Sequence, residues 1–196
     1  MPVKIKMIET FLSVLNSRQP LRKFYELVLL KKARYFSKIQ KVNTSKLNMG
    51  IKKNDIPYFL SDSNSLSLES SPQVKFLKEI DAGKKMTETK YFKILQKVRS
   101  RDRKFASKKC KEFSSMYKKI KNGNKIEPIF LIKDAPAWKV NISVLSPQVK
   151  IKSKDKYVIL DGHHRASAMW HLGYRQVPAK ILRRDFIIKF IENMIS

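Results

Sequence analysis

The sequence predicts an α+β domain, a small mixed sheet with helices packed against it, preceded by an N-terminal helical extension. Three observations predict it. Tyr157–Leu160 is a short apolar run of strand length, broken by Asp161-Gly162 and followed by helix formers from His163 to Leu172, a Gly173 stop and a second strand-like run, Val177–Leu182. Upstream, Pro128–Ile132 is another apolar run of strand length. Between residues 88 and 120, apolar residues recur at three- and four-residue steps, the helical period.

In chain order, Met1 to about Gly50 is basic and amphipathic. Phe11, Leu12, Val14 and Leu15, then Phe24, Tyr25, Leu27, Leu29 and Leu30, predict two helices broken at Ser17–Pro20. Residues 1–60 are assigned to this extension. Lys52–Ser71 reads as a linker, with Pro57 and a serine-rich stretch at Ser61–Ser65, and the boundary is placed near Ser65. The main domain covers 66–196, opening around Ser71–Leu77. Glu88 to about Arg99 and Lys104–Ile120 are its first two helices. In the second, Cys110, Phe113, Met116, Tyr117 and Ile120 share one face, which makes Cys110 a small core residue rather than a reactive thiol. Asn122-Gly123-Asn124 ends that helix. Val140–Val144 is a candidate strand before a loop at Pro147, and Phe186 to about Met194 a last helix.

The chain carries 43 Lys+Arg against 16 Asp+Glu, a formal net charge of +27. Such an excess favours a polyanionic neighbour: nucleic acid, an anionic membrane surface or a phosphorylated ligand. The competing reading is a solvated lysine-rich surface. Lysine outnumbers arginine, which argues against reading of individual bases. The single cysteine excludes internal disulfides and Cys-based zinc clusters and fits a reducing, cytoplasmic setting. No apolar run approaches the ~18 residues of a membrane span.

The turn from Asp161 to Arg165 is where chemistry concentrates. A helix start offers unpaired N–H groups and the positive end of the dipole, and so suits an anion. Gly162 permits close backbone approach, and Arg165 adds a planar fork matched to phosphate oxygens. His163 and His164 are candidates for phosphate donors or proton shuttles. Asp161 is a candidate magnesium ligand or polariser of a hydroxyl; its alternative is a helix cap. Tyr174 and Arg175, in the loop after the helix, are candidates for the pocket rim. His164 and His171 lie about 10.5 Å apart along a helix, too far for one zinc ion with bonds of ~2.0–2.1 Å. Trp138 and Trp170 are candidates for base stacking, with core packing the alternative for Trp170.

Helix-Asn-Gly-x-x-x-Glu-Pro-Ile-x-Leu, followed by Tyr-x-Ile-x-Asp-Gly-His-His-Arg-x-x-Ala-x-x-x-Leu-Gly-x-x-x-Val-Pro-Ala, resembles the ParB/sulfiredoxin superfamily over roughly Phe105–Leu182. The resemblance implies a turn that holds nucleotide phosphates, as in the CTP-binding domain of ParB partition proteins, the ATP-using sulfiredoxins and the ADP-dependent serine kinases. Sulfiredoxins have a cysteine where His163 stands, and ParB proteins have Gly-Glu-Arg-Arg at the turn. The serine kinases are most similar, since they carry Asp-Gly-His-His-Arg itself. Their catalytic glutamate follows a proline ahead of the first domain helix; here that place is Pro72-Gln73-Val74, with Glu69, Glu79 and Glu88 as the nearby carboxylates.

The expectation is therefore a nucleotide-binding protein, a kinase-like phosphotransferase in which Asp161, His163 and His164 are catalytic and Gly162 to Arg165 grip the phosphate. The implied ligands are ATP, ADP or CTP with magnesium, and a small hydroxyl-bearing substrate. The alternative is a nucleic-acid-binding protein, with ParB-like nuclease activity, acting through the basic surface.

Overall fold

Apolar and β-branched residues dominate Ile129–Lys133 (β3), Tyr157–Asp161 (β4) and Gln176–Leu182 (β5), and these segments form the middle of a five-stranded sheet. In the computed structural model, residues 38–49, 67–97, 102–133 and 157–182 are described. The outer strands are Ile39–Asn43 (β1) and Leu47–Met49 (β2), in the order β1-β5-β3-β4-β2. β3 runs antiparallel to β4 and parallel to β5; β1 is antiparallel to β5 and β2 parallel to β4. Among the described residues this mixed sheet is joined by four helices, an α+β architecture. No helix among the described residues is long and apolar enough to cross a membrane.

The sheet is curved. On a flat sheet β1 and β2 would stand four strand spacings apart, about 19 Å. Only Thr44–Lys46 joins them, and the four links from Asn43 to Leu47 reach at most about 14 Å. Thr44 fixes the connection: its hydroxyl donates to the Tyr174 and Arg175 carbonyls at 3.1 and 3.3 Å, and its N–H donates to the Arg175 carbonyl at 3.0 Å.

Helix α1 (Pro72–Asp81) begins where the Ser71 side chain accepts from the Val74 N–H, with proline in the first turn, where its missing donor is not needed. Helix α2 is Lys90–Lys97, its first N–H donating to the Glu79 carboxylate at 3.0 Å. Helix α3 (Arg103–Lys121) is capped by Asp102, whose carboxylate accepts from the Phe105 N–H at 2.7 Å. Helix α4 is His163–His171. α4 packs against α1 and α3, and α2 against α1 and α3. Phe76 of α1, Tyr91 of α2 and Phe113 of α3 meet under α4, with Phe76 and Phe113 stacked at 5.2 Å.

Two expectations change. Ile39–Asn43 and Leu47–Met49, assigned to the helical extension over 1–60, are strands of the same sheet as β3–β5, joined by a single 3-10 turn at Thr44–Lys46. Their pattern hid this: β1 buries only Val42, and β2 is three residues long. Helix α1 is an element the periodicity reading passed over. The two helices expected before Gly50, the serine-rich stretch Ser61–Ser65 of the expected linker, the candidate strand Val140–Val144 with its Pro147 loop, the last helix Phe186–Met194 and Trp138 lie outside the described residues. The end of the linker, 67–71, is described and packs against the domain, with Ser67 bridged to Asn48, Leu68 buried and Ser71 capping α1.

Candidate functional site

β4 ends with a bulge. Phe130 pairs with Asp161 but Leu131 with Ile159, so Leu160 is an extra residue just before the turn. A bulge bends its strand and re-aims the side chain that follows, here Asp161. Gly162 then adopts φ +90°, caps α4 with no side chain, and accepts the Ala166 N–H at 2.8 Å. A Cβ at Gly162 would sit 2.8 Å from Ile129 Cγ2 and 3.1 Å from the Arg165 Nε and Nη2. The glycine is thus required twice, by its left-handed backbone and by the guanidinium lying against it. The capping role weighed for Asp161 falls to this residue.

Arg165 is held between two carboxylates. Its Nη2 donates to Asp161 Oδ2 at 3.0 Å and its Nη1 to Glu127 Oε2 at 2.8 Å. The arginine side chain is 16% exposed, against 44% for Asp161 and 74% for Glu127. Asp161 is therefore the inner partner that orients the fork, and Glu127 an outer partner in a solvent-screened pair of small worth. Glu127 reaches the site because β3 and β4 are antiparallel, which sets the start of β3 beside the end of β4. Sequence reasoning missed it as a site residue; the signal available was its place just ahead of Pro128 and β3.

The two histidines part company. His163 is partly exposed at the first position of α4. His164 turns into the helical layer: its ring stacks on Phe113 at 4.3 Å and its Nε2 lies 2.7 Å from the Tyr91 hydroxyl. Burial, with the positive charge of His163 and Lys109 nearby, pushes its pKa down to about 4. Burial likewise raises the Tyr91 phenol well above its usual range, while a hydrogen bond from Gln73 opposes the shift. Tyr91 and His164 share one hydrogen bond whose direction follows the imidazole tautomer: Nε2 accepts from the phenol when the ring proton is on Nδ1 and donates to it when the proton is on Nε2. The structure thus turns His164 toward Tyr91 and Phe113, away from the partly exposed His163 beside it. Tyr91 and Phe113, which make that bond and stack, were read from sequence only as apolar helix residues.

Tyr174 and Arg175 do not line this site. They follow the C-terminal end of α4, about 12 Å along the axis from His163, and their carbonyls hold Thr44. His171, at that same end, bonds Asp81 Oδ2 at 2.7 Å, an atom that also accepts from the Tyr117 hydroxyl. Trp170 packs on the core, with the Lys78 ammonium 5.5 Å from its ring centre. Cys110 is fully buried, and burial pushes its thiol up to about 12. Gln73 is buried against Tyr91; its Oε1 has no partner among the described residues.

Among the described residues no group of three or more His, Cys, Asp or Glu is placed to hold a metal ion. Magnesium asks for less than an all-protein cage, taking one or two carboxylates together with substrate phosphates. Asp161 and Glu127 are the two carboxylates at the turn, each paired with the same guanidinium. No family model, curated protein or solved structure matches the chain.

Proposed function

We propose that the β4–α4 turn binds the phosphate of a nucleotide, taken up with magnesium. The observation that carries this reading is the join of Gly162 and Arg165. A helix start without a side-chain cap stands against a guanidinium already oriented by Asp161. Both groups favour an anion, one through oriented N–H groups, the other through a charged fork. In this reading the phosphate displaces the exposed Glu127 carboxylate from Arg165, and Asp161 keeps the guanidinium in place. Two carboxylates around one arginine leave the turn short of positive charge, so the ligand is the magnesium complex and not the bare phosphate, with the Asp161 carboxylate available to the ion. The Asp-Gly-His-His-Arg resemblance supports the same ligand class, a nucleoside di- or triphosphate such as ADP, ATP or CTP.

The proposal stops at binding. Transfer to a hydroxyl needs a base; His164 faces Tyr91 rather than the turn, and the amide of Gln73 is not basic. The test is calorimetric titration of the full chain with ADP, ATP and CTP, each with magnesium and with chelator. Binding that needs magnesium, vanishes in Arg165→Ala and persists in Glu127→Gln is the expected result. Failure of all three nucleotides to bind, or unchanged affinity in Arg165→Ala, overturns it.

A further inference from the structure

The outward face of α3 is a row of lysines. Lys104, Lys108, Lys111 and Lys118 follow one another at steps of four, three and seven, which puts them within an arc of about 80° on an α-helix. Ser115 fills the gap in the row, and all five residues are exposed. Directly opposite lie Ala106, Cys110, Phe113, Tyr117 and Ile120, all buried in the core. The row spans about 21 Å. None of the four lysines makes an ion pair with an acidic residue among those described. Glu112, the helix's acidic side chain, pairs with Lys109 at 2.7 Å, although Lys108 also lies in its field. Asp102 is committed to the helix cap.

We propose that this face docks along the phosphate backbone of a nucleic-acid duplex without reading its sequence. The chemistry selects that partner. Phosphates follow one another by about 3.4 Å along each duplex strand, so a row of ~21 Å faces about six of them. Lysine presents a point charge to phosphate but not the bidentate fork that reads guanine. The row holds no aromatic side chain, so it has no platform on which unpaired bases would stack. The apolar side of α3 is consumed by the core, whereas a helix seated in a lipid surface places that side in the acyl region. This inference is independent of the nucleotide site, from which it uses no residue.

The test is fluorescence anisotropy of the full chain on a DNA duplex of about 20 base pairs and mixed sequence, from about 50 to 200 mM salt. Each phosphate contact adds about 0.9 to the slope of log K against log salt. Replacing Lys104, Lys108, Lys111 and Lys118 with alanine is therefore expected to flatten the slope by about 3–4. A control replaces Lys38, Lys41, Lys46 and Lys85, which are exposed elsewhere, and is expected to change the slope by less than about 1. Equal flattening by both sets overturns the proposal, because overall charge alone would then explain binding. So does tighter binding to a single strand of the same length, or to phosphatidylserine vesicles, than to the duplex. Thermal melting of both variants checks their fold. Should the row variant fail to fold, Lys111→Ala alone is expected to lower the slope by about 0.9, and no change in it is an equal refutation.

Discussion

Acidification makes His164 a measurable liability. Its folded-state pKa is about 4, against an ordinary value of 6.5, so the unfolded chain binds the proton more tightly. Stability from this group is complete above about pH 6.5 and is lost as pH falls towards 4. Linkage gives about 1 kcal/mol lost at pH 6, about 2 kcal/mol at pH 5 and about 3 kcal/mol once both states are protonated. The carboxyl of Asp81 does not contaminate the upper part of this range. Burial pushes it up, but hydrogen bonds from Tyr117 and His171 outweigh that and hold it below its usual 3.8. The assay is urea unfolding followed by far-UV circular dichroism between pH 7.5 and 5.0. His164→Gln keeps an acceptor for the Tyr91 hydroxyl and cannot titrate in this window. The natural chain is expected to lose about 2 kcal/mol across the window, and His164→Gln to lose less by that amount, although it starts lower for want of the Phe113 stacking. Parallel curves for the two proteins would refute a neutral, enclosed imidazole at this position.

Gly162→Ala forces a β-carbon into Ile129 at a left-handed backbone position; a loss of at least about 1–3 kcal/mol in the same unfolding assay is expected, and nucleotide binding should fall even where the variant remains folded. Cys110, buried with its thiol pKa raised to about 12, is expected to react with a thiol reagent only as fast as the chain opens. Its labelling rate should therefore rise with urea in step with unfolding, and rapid labelling of the native protein would contradict the packing described for α3.

Legibility in the sequence followed the range of the interaction. β4, the turn, α4 and β5 were readable because each is signalled locally, by an apolar run, a glycine or a helical period. The buried face of α3 was readable for the same reason. Helix α1 carries its signal too, in Ser71-Pro72 followed by Val74, Phe76 and Leu77, but a serine-proline start marks a loop entry as well as a helix cap. β1 was not readable, since Ile39, Gln40, Lys41 and Asn43 are exposed on an edge and only Val42 points inward. Edge strands carry such charges because lysine discourages pairing with other chains. At the site, Gly162 and Arg165 were visible as residue types, whereas the partners that decide their chemistry were not. Tyr91 stands 73 residues from His164, and Glu127 stands 38 from Arg165. Such meetings are set by how the helices stack and how β3 pairs with β4, and no local pattern encodes them.

The eleven-residue passage Ile39–Met49 works as a hoop around the sheet. One short piece of chain occupies the open flank of β5 and the open flank of β4 at once. A molecule beginning after Met49 therefore loses both guards in a single cut, leaving two unsatisfied rows of backbone donors and acceptors on opposite sides. Two sticky sides on one body do not close into a pair; they grow end to end.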